Sequence, residues 1–217
     1  MASLNTDAMA GTDAGYLAVY MGPMYSGKTS KLLELYKQYS FCNIPTVVIN
    51  YAEDTRYSAE PMMSTHDKKM VPCIMARSLM ETLPPGGPET SATVFLVNEG
   101  QFFPDIVEWT EKMVEEHNKT VHICGLDGDF QRKKFGNWLD LIPICNHVEK
   151  LTSMCHGCAS ASKLSPAIFS FRVTSETEQK VIGSDNYVPL CRLCYRNSAQ
   201  GNSARGNSTQ GNSAQGC

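Results

Sequence analysis

Eight consecutive residues, from Gly22 to Thr29, match the pattern G-x-x-x-x-G-K-[ST]. An apolar run precedes them and a stretch with the apolar spacing of one helix face follows, which is the strand–loop–helix context in which this pattern binds phosphate. There the loop N–H groups and the helix N-terminus bind phosphate oxygens, Lys28 adds positive charge, and the Thr29 hydroxyl is placed to bind Mg²⁺. The motif therefore predicts a nucleoside-triphosphate site made by Gly22, Pro23, Met24, Tyr25, Ser26, Gly27, Lys28 and Thr29.

The first 150 residues alternate short apolar runs with helical stretches. Such alternation is typical of an α/β fold in which crossover helices join the strands of a parallel sheet. An apolar content of 42% is sufficient to build its core. We predict strands at Tyr16–Met21, Thr46–Asn50, Val94–Val97 and Thr120–Cys124, a helix after the phosphate loop, and a helical stretch that opens at Pro104 with Ile106, Thr110, Met113 and Val114 on one side.

Changes in composition divide the chain into four predicted segments. Residues 1–14 are small and polar and are expected to form a flexible leader, and residues 15–150 are expected to form the α/β nucleotide-binding domain. From residue 151 the chain is rich in Cys, Ser and Gly, which indicates a small zinc-binding module over residues 151–196. Residues 197–217 repeat a short Gly-Asn-Ser unit without large apolar side chains, which predicts a disordered tail.

Charge and apolar content argue against several classes of protein. A net charge of −3 without a basic stripe argues against a protein that binds nucleic acid. No apolar run is long enough to span a membrane, and the first residues lack the layout of a signal peptide. We therefore expect a cytoplasmic protein whose nine cysteines are thiols or metal ligands rather than disulfides.

Four of the cysteines form two C-x-x-C pairs, Cys155 with Cys158 and Cys191 with Cys194, with 32 residues between the pairs. Each pair can place two thiolates on one ion, and two pairs complete a tetrahedral site. Because four protein ligands leave no open position, the pattern predicts structural rather than catalytic zinc. Two redox-active or incidental pairs are the alternative interpretation.

An acidic residue follows the third predicted strand. Glu99 comes directly after Val94–Val97 and Asn98, so we expect it at the carboxyl end of a parallel strand, facing the same crevice as the phosphate loop. An acidic side chain there can hold Mg²⁺ or activate the nucleophile in phosphoryl transfer. The position fits an ordinary surface glutamate in a turn equally well.

Further short segments occur along the chain in the order of one enzyme family. Besides the phosphate loop and the Cys pairs, they are Asp54–Tyr57, Thr65–Asp67, Glu99–Asp105, Leu126–Gly128, Phe130–Lys133 and Val181–Gly183. Over about residues 16–196 the chain resembles the zinc-containing (type II) thymidine kinases of animals, bacteria and large DNA viruses. The resemblance implies transfer of the γ-phosphate of ATP to the 5′-hydroxyl of thymidine in nucleotide salvage, with deoxyuridine as a second acceptor, and a homotetramer.

The resemblance also implies which residues act in catalysis and ATP binding. Glu99 matches the general base that takes the proton of the thymidine 5′-hydroxyl, and Lys28 and Arg56 match positive charges at the reacting phosphates. Asn98 and Gln101, on either side of the glutamate, are assigned to the ATP site. Arg56 is alternatively a solvated surface charge.

For the nucleoside, the resemblance implies a pocket with apolar walls, covered by a loop of the zinc module that reads the base largely through backbone hydrogen bonds. Phe130 and Phe135 are alternatively ordinary core aromatics. The implied pocket consists of Met24, Phe102, Leu126, Phe130, Phe135, Ser170, Gln179, Lys180, Val181, Ile182, Gly183 and Tyr187.

The chain departs from the family pattern at Asn98, where the family has aspartate. A neutral amide accepts a weaker hydrogen bond than a carboxylate, so we expect weaker Mg²⁺ binding. Two other functions compete with the kinase. One is a protein that only senses or sequesters nucleotides because Asn98 disables the chemistry. The other is a phosphate-loop ATPase whose zinc ribbon grips nucleic acid, against which the acidic net charge argues. Segment lengths also depart from the family before Ser170 and before Tyr187, which affects how these two residues are matched.

Overall fold

The computed structural model describes residues 14–53, 62–64, 70–160, 162–179 and 186–206. A π-helical turn (Lys112–Glu116) extends the third α-helix, and short 3-10 helices lie at Pro88–Ser91, Gly100–Phe102 and Trp138–Ile144. The strands and α-helices are β1 (Tyr16–Met21), α1 (Lys28–Phe41), β2 (Thr46–Tyr51), β3 (Met62–Ser64), β4 (Met70–Pro72), β5 (Ile74–Ala76), α2 (Leu79–Thr82), β6 (Val94–Val97), α3 (Ile106–Glu111), β7 (Thr120–Gly125), β8 (His147–Lys150), β9 (Ser153–Met154), α4 (His156–Ala159), β10 (Pro166–Ala167), β11 (Phe169–Arg172), β12 (Tyr187–Leu190) and α5 (Arg192–Gly206).

Six strands form one parallel sheet in the order β5-β2-β6-β7-β1-β8. The predicted α/β class is therefore confirmed, and all four predicted strands are present, with β2 and β7 each one residue longer than predicted. The edge strands β5 and β8 were not predicted. Strand β5 has three residues and β8 alternates half-buried with exposed side chains, so neither carries a continuous buried apolar run.

Helices cover both faces of the sheet. Helix α1 packs Leu32, Leu35 and Tyr39 against one face, and α3 packs Ile106 and Trp109 against the other. The helical stretch predicted to open at Pro104 begins instead at Ile106. The side predicted to carry Ile106, Thr110, Met113 and Val114 is confirmed, because all four residues are buried. Since every strand of the sheet is parallel, the segments that follow β1, β6 and β7 meet at one edge, and these segments carry the candidate site.

The segment after residue 150 forms two antiparallel hairpins, β9–β10 and β11–β12, with α4 and α5. Its small core contains Cys155, Ala167, Leu190 and Tyr195. Helix α5 continues to Gly206, so it enters the segment predicted as a tail. Residues 1–13 and 207–217 lie outside the described residues, and the four segment boundaries stay predictions. None of the helices in the described ranges combines the length and the apolar character needed to cross a lipid bilayer.

A buried histidine on β7 predicts how stability depends on pH. His122 is 1% exposed, with Nδ1 3.3 Å from the Tyr20 hydroxyl and Nε2 2.9 Å from the Tyr39 hydroxyl. Burial first, then the charges of His147 and Lys31, lowers its pKa to about 3. Because histidine in the unfolded chain titrates near pH 6.5, the unfolded state binds the extra proton between these values, and stability falls as pH is lowered through that window.

We expect the free energy of unfolding of His122→Gln to fall less steeply than that of the wild type between about pH 6 and pH 4. The difference in slope should approach about 1.4 kcal/mol per pH unit, the value for one proton. Glutamine keeps polar atoms for the two tyrosine hydroxyls but cannot be protonated in this range. Urea denaturation of both proteins at several pH values measures the slopes, and parallel curves would contradict a neutral buried His122.

Candidate active site

The phosphate loop connects β1 directly to α1. Gly27 has φ 84° and ψ 13°, a left-handed conformation that favours glycine, and a Cβ on Gly22 would lie 2.5 Å from the Leu151 carbonyl oxygen. Lys28 is buried and its Nζ donates to the Pro23 carbonyl at 2.7 Å. The Ser26 hydroxyl is buried without a hydrogen-bond partner in the described part of the chain. A buried polar atom of this kind needs a partner, and a bound phosphate oxygen would supply one, so the loop fits a triphosphate.

Residues from three strands meet beside this loop. The Thr29 hydroxyl donates to Asn98 Oδ1 at 3.4 Å, Cys124 Sγ donates to the same oxygen at 3.0 Å, and Asn98 Nδ2 donates to Asn50 Oδ1 at 2.9 Å. Burial raises the pKa of the Cys124 thiol to about 12, which keeps it a donor. The Asn98 amide is therefore oriented with its oxygen towards Thr29. Hydroxyl and amide oxygens are hard ligands that suit Mg²⁺ or its bound waters.

Glu99 follows Asn98 in a strained backbone conformation. Its φ of 60° and ψ of 44° are uncommon for a residue with a side chain, and such strain is concentrated at functional sites. A Cβ at position 100 would lie 2.7 Å from Ile123 Cγ2, so only glycine fits there without moving Ile123. Glu99 Oε2 accepts from Gln101 Nε2 at 2.7 Å, and Gln101 Oε1 accepts from the Leu126 N–H at 2.9 Å. Gln101 thus holds the Glu99 carboxylate and connects it to Leu126 of the predicted nucleoside pocket.

Two of the predicted pocket walls, Phe102 and Phe135, contact each other. The Phe102 ring is tilted by 37° to that of Tyr51, with centroids 5.1 Å apart, and it meets Phe135 edge-on at 5.4 Å. The Leu126 carbonyl accepts from Trp138 Nε1 at 3.0 Å. Phe102 is also packed against the main core, so the wall and the core are continuous.

The segment after residue 150 carries the four paired cysteines and is called the zinc-side module. Its β11–β12 hairpin contacts the phosphate loop. The Ser170 hydroxyl on β11 is buried and accepts from the Met24 N–H of the phosphate loop at 2.9 Å. Gln179 Nε2 donates to Asp129 Oδ2 at 2.9 Å, a contact between the module and the segment after β7. The segment after residue 150 is therefore in direct contact with the phosphate loop and with the segment after β7.

The four paired cysteines form one cluster. All four sulfur atoms lie within 4.8 Å of one another, with Cys158 Sγ 3.8 Å from Cys191 Sγ and 3.6 Å from Cys194 Sγ. A tetrahedral zinc with Zn–S bonds of about 2.3 Å requires sulfur–sulfur separations of about 3.8 Å. The Cys191 N–H also donates to Cys155 Sγ at 3.1 Å. The cluster can therefore hold a metal ion, and two separate redox pairs do not describe it.

Several predicted site residues lie outside the described part of the chain. The sequence analysis also did not predict three residues that contact predicted site residues. Outside are Arg56, Lys180, Val181, Ile182 and Gly183, whose roles stay predictions. Missed were Asp129, Arg172 and Tyr195, all of them buried. None belongs to a chemical motif. Only the alternation of β11, in which every second residue is buried, could have indicated that Arg172 points inward.

Comparison with known proteins identifies relatives over nearly the whole chain. The family model for thymidine kinase matches residues 15–195. The chain is 40% identical over 187 residues to a thymidine kinase of Variola virus, covering 86% of this chain and 99% of the relative. It is 39% identical over 188 residues to the cytosolic thymidine kinases of Bos taurus and Homo sapiens, covering 86% of this chain and 74% and 76% of those relatives.

Proposed function

This chain belongs to the thymidine kinase family, and on that premise we propose that it transfers the γ-phosphate of ATP to the 5′-hydroxyl of thymidine. One observation carries the proposal beyond family membership. The hydrogen bond between Thr29 and Asn98 joins the phosphate loop to the segment that presents Glu99, and Gln101 joins Glu99 to the pocket wall at Leu126. These hydrogen bonds support an arrangement in which the donor loop, the base and the acceptor pocket adjoin one another.

In the proposed reaction the thymidine 5′-oxygen attacks the γ-phosphorus, the bond to the β–γ bridging oxygen breaks, and ADP leaves. Glu99 accepts the proton of the hydroxyl as the new bond forms. Lys28 and the loop N–H groups hold the phosphates in line, since positioning and charge neutralisation supply most of the catalysis in such transfers. The Thr29 hydroxyl and the Asn98 side-chain oxygen would help to hold Mg²⁺, which would supply positive charge at the phosphates.

The acceptor side is proposed to be built by the zinc-side module together with the segment after β7. Four thiolates leave no open position for chemistry, so a zinc ion on Cys155, Cys158, Cys191 and Cys194 would be structural. It would hold the two ends of the module together. Ser170 then places β11 against the phosphate loop. Assembly as a homotetramer and location in the cytoplasm stay predictions from the family resemblance and from composition.

Turnover of ATP with Mg²⁺, in the presence and absence of thymidine, tests the proposed function. Turnover that requires thymidine and yields thymidine monophosphate is the expected result, and deoxyuridine in parallel tests the second acceptor. Nucleotide binding without turnover would indicate the sensor instead. Turnover stimulated by single-stranded DNA, with no effect of thymidine, would indicate a nucleic-acid-dependent ATPase.

Because Asn98 is neutral, we expect the protein to bind Mg²⁺ more weakly than a variant with aspartate at this position. In Asn98→Asp a carboxylate would face Thr29, and the Asn50 amide can rotate to donate to it. A charge-assisted hydrogen bond is about twice as strong as a neutral one, so we expect half-saturation at about fivefold lower Mg²⁺. Calorimetric titration of Mg²⁺ into protein with a non-hydrolysable ATP analogue measures the shift without requiring turnover.

A matched control separates the local effect from the added negative charge. Asn118 is exposed and precedes β7, so it lies at the opposite edge of the sheet from the phosphate loop. Asn118→Asp should therefore leave the Mg²⁺ titration unchanged. Superimposable titrations of the wild type and Asn98→Asp would show that the amide at this position costs no Mg²⁺ affinity.

A further inference from the structure

Arg172, the last residue of β11, is a buried arginine that no motif includes. It is 4% exposed, and its guanidinium donates to three backbone carbonyls of the following segment. Nη1 donates to Glu176 at 2.9 Å and to Glu178, and Nη2 donates to Gln179 at 3.1 Å. Nη2 also donates to the Tyr187 hydroxyl at 2.6 Å. One side chain thus holds residues 176–179 and the start of β12 together.

The same guanidinium lies over Phe130, a predicted wall of the nucleoside pocket. Its central carbon is 3.8 Å from the centre of the Phe130 ring and 5.1 Å from that of the Tyr187 ring. Stacking of this kind is stronger where water is excluded, as it is around a buried Arg172. Three residues assigned to the nucleoside pocket, Phe130, Gln179 and Tyr187, therefore share one contact.

Phe130 is held a second time, through its backbone. The Tyr195 hydroxyl on α5 donates to the Phe130 carbonyl at 2.6 Å, and Tyr195 is 7% exposed. Its ring packs edge-on against Phe169 and Phe171 of β11, and the Arg132 guanidinium lies 4.6 Å from its centre. Tyr195 directly follows Cys194, a candidate metal ligand, in the sequence. The residue that binds the Phe130 carbonyl is therefore adjacent to the cysteine cluster.

We propose that Arg172 and Tyr195 are positioning residues of the acceptor site, which together fix Phe130 against the ends of the covering loop so that the thymidine base has a preformed place to bind. The inference rests on the proposed function. The side-chain hydrogen bonds and ring contacts described for Arg172 and Tyr195 go to residues 130–132, 169–179 and 187, so we expect the effect on thymidine and not on ATP. Lysine cannot replace Arg172, because one ammonium lacks the planar fork that reaches four acceptors while stacking on an aromatic ring.

The test uses the full zinc-loaded chain as wild type, Arg172→Lys and Tyr195→Phe. We expect Arg172→Lys to raise the KM for thymidine about tenfold and Tyr195→Phe about threefold, with the KM for ATP unchanged within twofold. Tryptophan fluorescence gives the Kd for thymidine independently of turnover, since Trp138 Nε1 is bonded to the Leu126 carbonyl in the pocket wall. Arg196→Lys, an exposed arginine on α5, is the matched control and should bind thymidine as the wild type does.

The outcomes separate this proposal from the proposed function. If the wild type fails to phosphorylate thymidine, the proposed function fails, and the positioning roles are then judged on the Kd for thymidine alone. If both variants have the wild-type KM and Kd for thymidine, the positioning roles are overturned. They are also overturned if a variant loses zinc and loses affinity for thymidine and ATP equally. If Arg172→Lys does not fold, Tyr195→Phe decides, because it removes one hydroxyl and leaves the packed ring in place.

Discussion

Replacing Glu99 by glutamine is expected to lower kcat for thymidine phosphorylation by about 10²- to 10⁴-fold, the range typical of a lost general base. Glutamine has the same shape and can keep the hydrogen bond from Gln101, but its amide cannot take the proton of the attacking hydroxyl. The strained backbone at position 99 is equally uncommon for either residue, so the fold should be retained. Steady-state kinetics measure the loss, and binding of an ATP analogue should be unchanged.

Glu116→Gln, an exposed glutamate at the end of the π-helical turn, removes the same charge far from the site and should have wild-type kinetics. A kcat for Glu99→Gln within a factor of about three of the wild type would show that another group accepts the proton. A loss confined to the KM for ATP would instead place Glu99 among the ligands of the donor nucleotide.

Replacing Cys155 by serine is expected to abolish thymidine-dependent turnover, by at least about 100-fold, through loss of the module that we propose to cover the nucleoside pocket. Cys155 is 1% exposed, is a member of the four-sulfur cluster, and accepts the Cys191 N–H. A serine oxygen is a poorer zinc ligand than a thiolate, and in small modules the free energy of zinc binding is largely free energy of folding. Zinc content, thermal unfolding and turnover are to be measured on the same preparations.

Cys42→Ser removes an exposed thiol outside the cluster and should change none of these three quantities. The phosphate loop belongs to the α/β part, so Cys155→Ser should still bind an ATP analogue even where thymidine binding is lost. Full thymidine turnover in a Cys155→Ser protein that has lost its zinc would contradict a structural metal. Full turnover with zinc retained would show that three thiolates suffice.

The residues with functional motifs were found in the sequence because local geometry defines them. A glycine pair, a lysine and a hydroxyl at fixed spacing already describe the phosphate loop, and a buried apolar run followed by Glu99 already locates the end of a parallel strand. The same holds for the C-x-x-C pairs, since each pair binds metal from one tight turn. Arg172 could not be found in this way, because its partners lie on segments that approach only after the β11–β12 hairpin has formed.

The sequence alone thus determined the α/β class, the phosphate loop, the acidic residue beside it and the two cysteine pairs, all of which depend on neighbours in the chain. The tertiary structure decided how these parts meet. The order of strands placed Asn98 between Thr29 and Asn50, with the Cys124 thiol fixing its amide. It also decided that Ser170, Arg172 and Tyr195 join the zinc-side module to the site. The physical reason is that hydrogen bonds between distant segments depend on the packing of the whole sheet and its helices, which no local pattern of residues records.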